Sequence, residues 1–391
     1  MIEKHVASAR DTSRQLLVRA PGRHAIEGLR YALGYHAANP ELRVSLLLNG
    51  ATPVELAHCC SFLDEVYAVP FTGFMHVDAD PAAALAGVPR AWDYVVENHR
   101  ARERSHDNFG GFRAFFDAAS AHFEARLDVG VAGAEPPAYL PHQQLRLDLP
   151  PEARLAAWAT IGERRQAISV LLTGSSANHL YPSTASWELI LAELSTQHPD
   201  APICLIGKLR ADGRTTSRVA HGDLDRLLRA VPAAIDCFDR PLLEQLALIE
   251  ASALLVSPHT GFSFSASTVG TPWLAISGGN WHEYFFNGVP VYSLLPDPER
   301  YPSFAWAELG PEPLKLIDAD DDGEGPRTPS MSAARIRDDL PKLLEAAELL
   351  IGERLPYEQA LGDYFPRLLA AYGGNRSRVF SFDNIHEQYL P

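Results

Sequence analysis

One stretch of the chain, Leu246 to Gly279, constrains the fold more than any other. Its first residues have a helical pattern, and a short apolar run, Ala253 to Val256, follows and stops abruptly. This pattern is typical of a buried strand. His259-Thr260-Gly261 comes next, and then a run of small residues predicts a helix that ends at Gly270-Thr271-Pro272. Trp273 to Ile276 predicts a second buried strand, so the stretch indicates strand, tight turn, helix, strand.

The turn at His259-Thr260-Gly261 has the composition of an anion-binding site. Backbone N–H groups in the first turn of a helix are unpaired and carry partial positive charge, which favours a bound anion. The alternative interpretation is an ordinary βαβ unit, because short strand-turn-helix units are common in α/β proteins. A purely structural turn would need only Gly261, so Thr260 favours the binding interpretation.

Composition and charge exclude several classes of function. The chain is 46% hydrophobic and 21% charged, which is typical of a globular protein. A formal net charge of −15 argues against a nucleic-acid-binding surface. No apolar run approaches the roughly 20 residues of a membrane helix, and the first residues do not form the apolar centre of a signal peptide. The four cysteines form no metal-binding CxxC pair. We therefore expect a cytoplasmic protein without a metal site, an integral membrane segment or a nucleic-acid partner.

Strands and helices alternate in two series that are separated by the Pro- and Gly-rich segment Gly130 to Pro151. This alternation predicts the α/β class, with two doubly wound, Rossmann-like domains facing a central cleft. We place the domains at residues 1–150 and 151–355. We expect the final helix and tail, 356–391, to pack back on the first domain. The polar segment Asn98 to Asp107 is a candidate for substrate contacts, and a solvated surface helix is the alternative.

Three segments of the chain resemble the ADP-heptose:lipopolysaccharide heptosyltransferases, which are glycosyltransferase family 9 enzymes of the GT-B fold. The family's Ser-x-Asp-Thr-Gly loop and Leu-Gly-Thr-Pro segment correspond to Ser257–Gly261 and Val269–Pro272. Its first turn and helix correspond to Gly22–Leu33, and a loop that carries a lysine corresponds to Thr173–Pro182. The chain departs from the family at three of these positions. His259 and His24 replace aspartates, and His179 replaces the lysine.

The resemblance implies an inverting, metal-independent glycosyltransferase that needs no cofactor. The donor would be a nucleotide-diphosphate sugar, by resemblance ADP-heptose. The acceptor would be a saccharide or a small molecule, as in natural-product or antibiotic biosynthesis. The implied donor-binding residues are Ser175, Ser176, His179, Lys208, Arg210, His259, Thr260 and Gly261. The implied acceptor-binding residues are Gly22, Arg23, His99 and Arg102.

The resemblance also places a general base near the acceptor. His24 is the first candidate, because an imidazole pKa lies near working pH, and Glu27 and Asp107 are further candidates. Alternatively, His24 only caps its helix while Arg23 binds an anionic acceptor.

Simpler roles also remain open for the donor-binding candidates. Ser175 and Ser176 are equally typical of a helix cap. Lys208 and Arg210 are equally typical of a solvated surface. His259 is equally typical of a buried histidine. For the whole chain, the alternatives are a nucleotide-sugar epimerase of the same fold and a degenerate transferase that acts as a binding or partner subunit.

Overall fold

The computed structural model describes residues 15–20, 25–70, 80–97, 115, 118–123, 137–162, 166–175, 177–212, 214, 216–276, 287–295, 325–379 and 381–391. The chain divides into two compact units, Met1–Gln143 and Gln144–Pro391. The domain limits given above, and the packing of the tail on the first domain, stay predictions. Within the described residues, no helix combines the length and apolarity needed to cross a membrane.

The described part of the first unit is a parallel four-stranded sheet with helices between its strands. In chain order the elements are β1 (Gln15–Ala20), α1 (Ala25–Ala38), β2 (Arg43–Asn49), a 3₁₀ helix (Val54–Cys59), β3 (Leu63–Val69), α2 (Pro81–Ala84) and β4 (Tyr94–Glu97). The strand order is β3-β2-β1-β4, so the chain runs outward from β1 to β3 and returns to the other side of β1. Leu17, Leu47, Val95 and Phe115 lie in its buried core.

Two local predictions in this unit are wrong. The residue types of Thr52 and Pro53 predict an N-cap and the first residue of a helix. Instead the Thr52 hydroxyl donates to the Asn49 carbonyl at 2.6 Å, and Pro53 is the N-cap of the 3₁₀ helix. The apolar segment Ala91 to Glu97 also predicts a strand, but the strand begins only at Tyr94. The indole of Trp92 is buried and donates to the Pro89 carbonyl at 2.7 Å, and Trp92 itself lies outside the strand.

The described part of the second unit contains a parallel six-stranded sheet in the order β10-β9-β8-β5-β6-β7. The elements are α3 (Pro151–Ile161), β5 (Ala167–Leu171), a 3₁₀ turn (Asn178–Leu180), α4 (Thr184–Gln197), β6 (Ile203–Ile206), α5 (His221–Ala230), β7 (Ala234–Asp236), α6 (Leu242–Glu250), β8 (Ser252–Pro258), α7 (Gly261–Ala266), a 3₁₀ turn (Ser267–Val269), β9 (Trp273–Ile276), β10 (Val291–Ser293), a 3₁₀ turn (Pro329–Met331), α8 (Ala333–Ile351), α9 (Tyr357–Ala371) and two 3₁₀ segments (Arg376–Arg378 and Phe382–Gln388).

Both sheets are parallel and doubly wound, so the predicted α/β class is confirmed. Every residue of β5 and β6 is buried, as expected of strands that are covered on both faces. The helix α9 packs against the edge strand β10. Arg367 of α9 donates to the Ser293 carbonyl at 3.2 Å, and its guanidinium lies 5.2 Å from the ring centre of Tyr292.

The C-terminal tail contains a buried imidazole that makes stability depend on pH. His386 Nδ1 lies 2.8 Å from the Ser381 hydroxyl. Burial lowers the pKa of His386 below its usual 6.5, while Glu387 opposes this lowering and Arg376 adds to it. The unfolded chain therefore takes up a proton near pH 6.5 that the folded chain resists. The contribution to the free energy of unfolding is fully present above that pH, and we expect it to be lost as the pH falls below it.

Urea unfolding of the wild type and of His386→Gln, at pH 7.5 and pH 5.5, measures this effect. Other titrating groups are common to both proteins, so the difference between them isolates His386. The wild type should lose more of its free energy of unfolding on acidification than the variant. Equal losses in the two proteins would contradict the assignment.

Candidate functional site

The second sheet has its topological switch point between β5 and β8. These strands are parallel neighbours, and the chain continues from β5 to β6 on one side and from β8 to β9 on the other. Ligands of open parallel sheets bind in the crevice beyond the carboxyl ends of the strands at such a point. The segments that leave the strands here are 172–175, called the β5 loop, and 259–261, called the β8 loop.

Gly174 brings the β5 loop and the β8 loop into contact. A Cβ atom added to Gly174 would lie 2.8 Å from Thr260 Cγ2 and 2.8 Å from the Tyr181 hydroxyl. Real Cβ atoms essentially never approach other atoms this closely, so a larger residue here would force one of these neighbours to shift. The loops that carry Ser175 and Thr260 are therefore packed directly against one another.

The β8 loop is fixed by a helix cap and by a set of buried hydroxyl groups. Thr260 is the N-cap of α7, and its Oγ1 accepts from the Ser263 N–H at 3.2 Å. The Ser263 hydroxyl donates to the Pro258 carbonyl at 2.7 Å. The Ser257 hydroxyl donates to Ser263 Oγ at 2.9 Å and accepts from the Trp273 indole at 2.8 Å. The Thr260 hydroxyl thus has a structural role of its own. The presence of a threonine here therefore does not favour a binding loop over an ordinary turn.

His259 is the first residue of the β8 loop. Its side chain is almost fully buried at 2% exposure, and its ring meets Trp273 edge to face with centroids 5.4 Å apart. Gly261 is the first residue of α7, which is only six residues long before a 3₁₀ turn and Gly270 at φ 87°. A role of His259 toward a ligand stays a prediction.

The remaining donor-binding candidates are distributed around the β5 loop. Ser175 is exposed, and its carbonyl accepts from Arg218 Nε at 3.2 Å. His179 is half-buried, and its carbonyl accepts from the Thr328 N–H at 3.0 Å. Ser176 lies outside the described residues.

Lys208 and Arg210, the two predicted cations, each lie beside an acid. Lys208 Nζ is 3.2 Å from the Asp212 carboxylate. Arg210 is 86% exposed and 3.5 Å from Asp239. Each neighbouring carboxylate offsets part of the positive charge, which weakens the electrostatic case for these two residues as anion ligands.

Two arginines that the sequence reasoning missed lie nearer the β5 loop. The Arg218 N–H donates to Thr173 Oγ1 at 2.8 Å and to the Gly174 carbonyl at 3.0 Å. Arg218 and Arg327 line the same cavity beside this loop, with a volume of about 160 Å³. No motif marks either arginine, because only the pairing of β5 with β6 and the bond from Thr328 to His179 bring them here.

The first sheet has an equivalent switch point between β1 and β4, which pair in parallel from Leu16↔Tyr94 to Arg19↔Glu97. The chain leaves these neighbouring strands through residues 21–24 and 98–114. Those segments lie outside the described residues, and they include Gly22, Arg23, His24, His99, Arg102 and Asp107. Glu27, which is described, is half-buried in the first turn of α1. Its role, like theirs, stays a prediction.

Of three solved structures that align with the chain, the first two share its fold. A glycosyl transferase family 9 protein from Veillonella parvula DSM 2008 aligns over 87% of this chain and 97% of its own, with 14% identity and a TM-score of 0.53. The ADP-heptose LPS heptosyltransferase II of E. coli aligns over 86% and 99%, with 11% identity and a TM-score of 0.51. A putative UDP-N-acetylglucosamine 2-epimerase from Listeria monocytogenes aligns over 94% and 99%, with 8% identity and a TM-score of 0.43.

At these identities the similarity shows the fold and not the activity. No protein-family profile matches the chain, and no curated protein matches it in sequence. The two structures with TM-scores above 0.5 are glycosyltransferases of the kind that the sequence motifs resemble. The predicted similarity to family 9 is therefore confirmed at the level of the fold. The low sequence identity is that expected of a strongly divergent chain.

Proposed function

We propose that the protein is an inverting glycosyltransferase that uses a nucleotide-diphosphate sugar, with ADP-heptose as the proposed donor. One observation carries the proposal: the β5 and β8 loops meet through Gly174 at the switch point of the second sheet. This is where an open parallel sheet binds its ligand, and the loops are those that resemble the donor loops of family 9. The fold shared with two glycosyltransferases supports it.

In the proposed reaction, the donor diphosphate lies against the β5 and β8 loops. A hydroxyl or amino group of the acceptor attacks the anomeric carbon as the bond from that carbon to the diphosphate oxygen breaks. A base accepts the acceptor proton, and the nucleoside diphosphate leaves with the bonding electrons. Cations near the diphosphate stabilise the negative charge that develops on it. The proposed acceptor is a saccharide or a small molecule, and no metal takes part.

A thermal-shift screen of nucleoside diphosphates tests the donor. A ligand that binds only the folded state raises the free energy of unfolding by about 2.7 kcal/mol at 100 times its Kd. ADP should therefore raise the melting temperature more than UDP, GDP or dTDP at equal concentration. A larger shift with another nucleotide would exclude ADP-heptose. The absence of a shift with all four would contradict the proposed function.

His24 is the proposed general base, with Glu27 and Asp107 as the further candidates. His24→Ala should lower kcat by roughly 10²- to 10⁴-fold, because a positioned base contributes about that much to a proton transfer. The Kd for the donor should not change, since the base acts on the acceptor. Both constants are measured by steady-state kinetics and calorimetry. An unchanged kcat would remove His24 from this role.

A further inference from the structure

The cavity beside the β5 loop lies between the first turns of α4 and α5, at the carboxyl end of β5. Thr173, Tyr181, Trp187, Arg218, Asp223 and Arg327 are among the residues that line it. Its volume of about 160 Å³ far exceeds the roughly 10–15 Å³ that one water needs. It is smaller than the about 300–1,000 Å³ of a pocket that encloses a complete ligand. The cavity therefore has room for one part of a larger ligand.

We propose that this cavity is a phosphate-binding subsite, held by Arg218 and Arg327, that receives phosphoryl oxygens of the nucleotide-sugar; this rests on the proposed function. Two guanidinium groups and one carboxylate line the cavity in the described part of the chain. Guanidinium groups stay protonated and present paired N–H donors that match phosphate oxygens. Arg327 is 4% exposed, so its charge acts where water screens it little.

The backbone and Nε of Arg218 are fixed, while the end of its side chain remains available. Its N–H and Nε make the three hydrogen bonds to residues 173–175 described above, and these hold it against the β5 loop. Among the described residues, no carboxylate lies within ion-pair distance of Arg218, and no hydrogen bond engages its two Nη groups. Its fork of donors is therefore held beside the cavity with its outer nitrogens able to bind an anion. Lys208 and Arg210 differ in this respect, because each is paired with an aspartate.

The helices around the cavity add to its positive potential. α4 and α5 have 14 and 10 residues, and the Thr184 and Asp223 side chains in their first turns line the cavity. The N-terminal end of a helix carries partial positive charge, and no side chain caps α5 at Ala220. Asp223 opposes this potential with a negative charge, and its oxygens can accept from hydroxyl groups of a sugar next to the phosphate.

Tyr181 connects the cavity to the switch point. Its side chain lines the cavity, and its hydroxyl lies beside Gly174, where the β5 loop meets Thr260. A phosphoryl group in the cavity would therefore adjoin the crevice in which the donor is proposed to bind. Family 9 enzymes have a lysine at the position of His179, and a neutral histidine carries no positive charge. The subsite would supply that charge instead.

The test compares Arg218→Gln with Arg229→Gln, a matched loss of charge at the other end of α5. Arg229 is exposed, is bonded to the Asp225 carbonyl and does not line the cavity. Melting temperatures and calorimetric Kd values are measured with ADP, adenosine, inorganic diphosphate and inorganic phosphate. We expect the Kd for ADP and for diphosphate to rise roughly tenfold or more in Arg218→Gln, because hydrogen bonds to charged groups are strong. Adenosine binding, and all binding by Arg229→Gln, should match the wild type.

The outcomes separate the subsite from the proposed function. If ADP binds the wild type and Arg218→Gln with equal affinity, the subsite is wrong and the proposed function stands. If inorganic diphosphate or phosphate binds in an Arg218-dependent manner while no nucleotide binds, the subsite stands for the free anion and the proposed function fails. If none of the four ligands binds the wild type, both fail. Arg218→Lys, which keeps the charge but not the planar fork, should recover part of the affinity and serves if the glutamine variant does not fold.

Discussion

Replacing Trp187 with alanine is expected to lower the free energy of unfolding by about 3–5 kcal/mol, the usual cost of truncating a large buried aromatic side chain. Trp187 is 2% exposed, and it is among the largest fully buried side chains of the described residues. Its indole N–H donates to the Leu172 carbonyl at 3.0 Å, which joins α4 to the start of the β5 loop. Alanine would remove both the packed ring and this bond.

Trp158 provides a control of the same residue type. It lies on α3 and is 57% exposed, so Trp158→Ala should change the free energy of unfolding by no more than about 0.5 kcal/mol. Urea unfolding followed by circular dichroism compares the two variants without relying on tryptophan fluorescence. Similar losses in both variants would contradict the difference in burial on which the prediction depends.

Gly174→Ala is expected to weaken binding of a nucleoside diphosphate by roughly 5- to 150-fold, the equivalent of 1–3 kcal/mol. Overpacking a close contact costs about this much. The new methyl group would meet Thr260 Cγ2 and the Tyr181 hydroxyl, each 2.8 Å away, so the contact between the β5 loop and the β8 loop would have to rearrange. Calorimetric titration with ADP measures the loss, and an unchanged Kd would show that the contact between the loops does not shape the donor site.

Two further variants make this test specific to the contact. Gly222→Ala is the control, because a Cβ on Gly222 meets nothing within 4 Å. It should leave the Kd unchanged and can only favour α5, where alanine is about 1 kcal/mol better than glycine. In the double variant Gly174→Ala/Thr260→Ser, removal of the Thr260 methyl group should restore part of the affinity, while the serine hydroxyl still caps α7.

The order of the elements was predictable from the sequence because parallel strands buried on both faces appear as short continuous apolar runs. β5 and β6 are such runs, and helical patterns separate them. Errors occurred where one hydrogen bond decides the structure. Thr52 has the residue type of a helix cap, but its hydroxyl donates to the Asn49 carbonyl instead. Trp92 fits a strand by composition, yet it precedes the strand and its indole donates to the Pro89 carbonyl.

The loops of the candidate site were easier to predict than its charges. Ser175 and Thr260 belong to recognisable loops that follow strands, and the structure brings those loops together. Lys208 and Arg210 follow β6 closely, which favours the prediction that they bind the donor. Their ion-pair partners, Asp212 and Asp239, cannot be assigned from sequence spacing alone. Arg218 and Arg327 are distant from the β5 loop in sequence. Strand order and long-range hydrogen bonds bring them to it, and no local sequence pattern records these.

The hydrogen bonds that hold the β8 loop join neutral groups. The structure of the loop and the binding of a charged ligand should therefore respond differently to salt. The bonds that link Ser257, Ser263 and Trp273 join hydroxyl, indole and carbonyl groups, and none of them is an ion pair. Screening by dissolved ions acts on charges and leaves such bonds almost unaffected. The shape of the loop should therefore be the same in dilute buffer and in concentrated salt. A change of nucleotide affinity with ionic strength would then report the contacts of the phosphates alone.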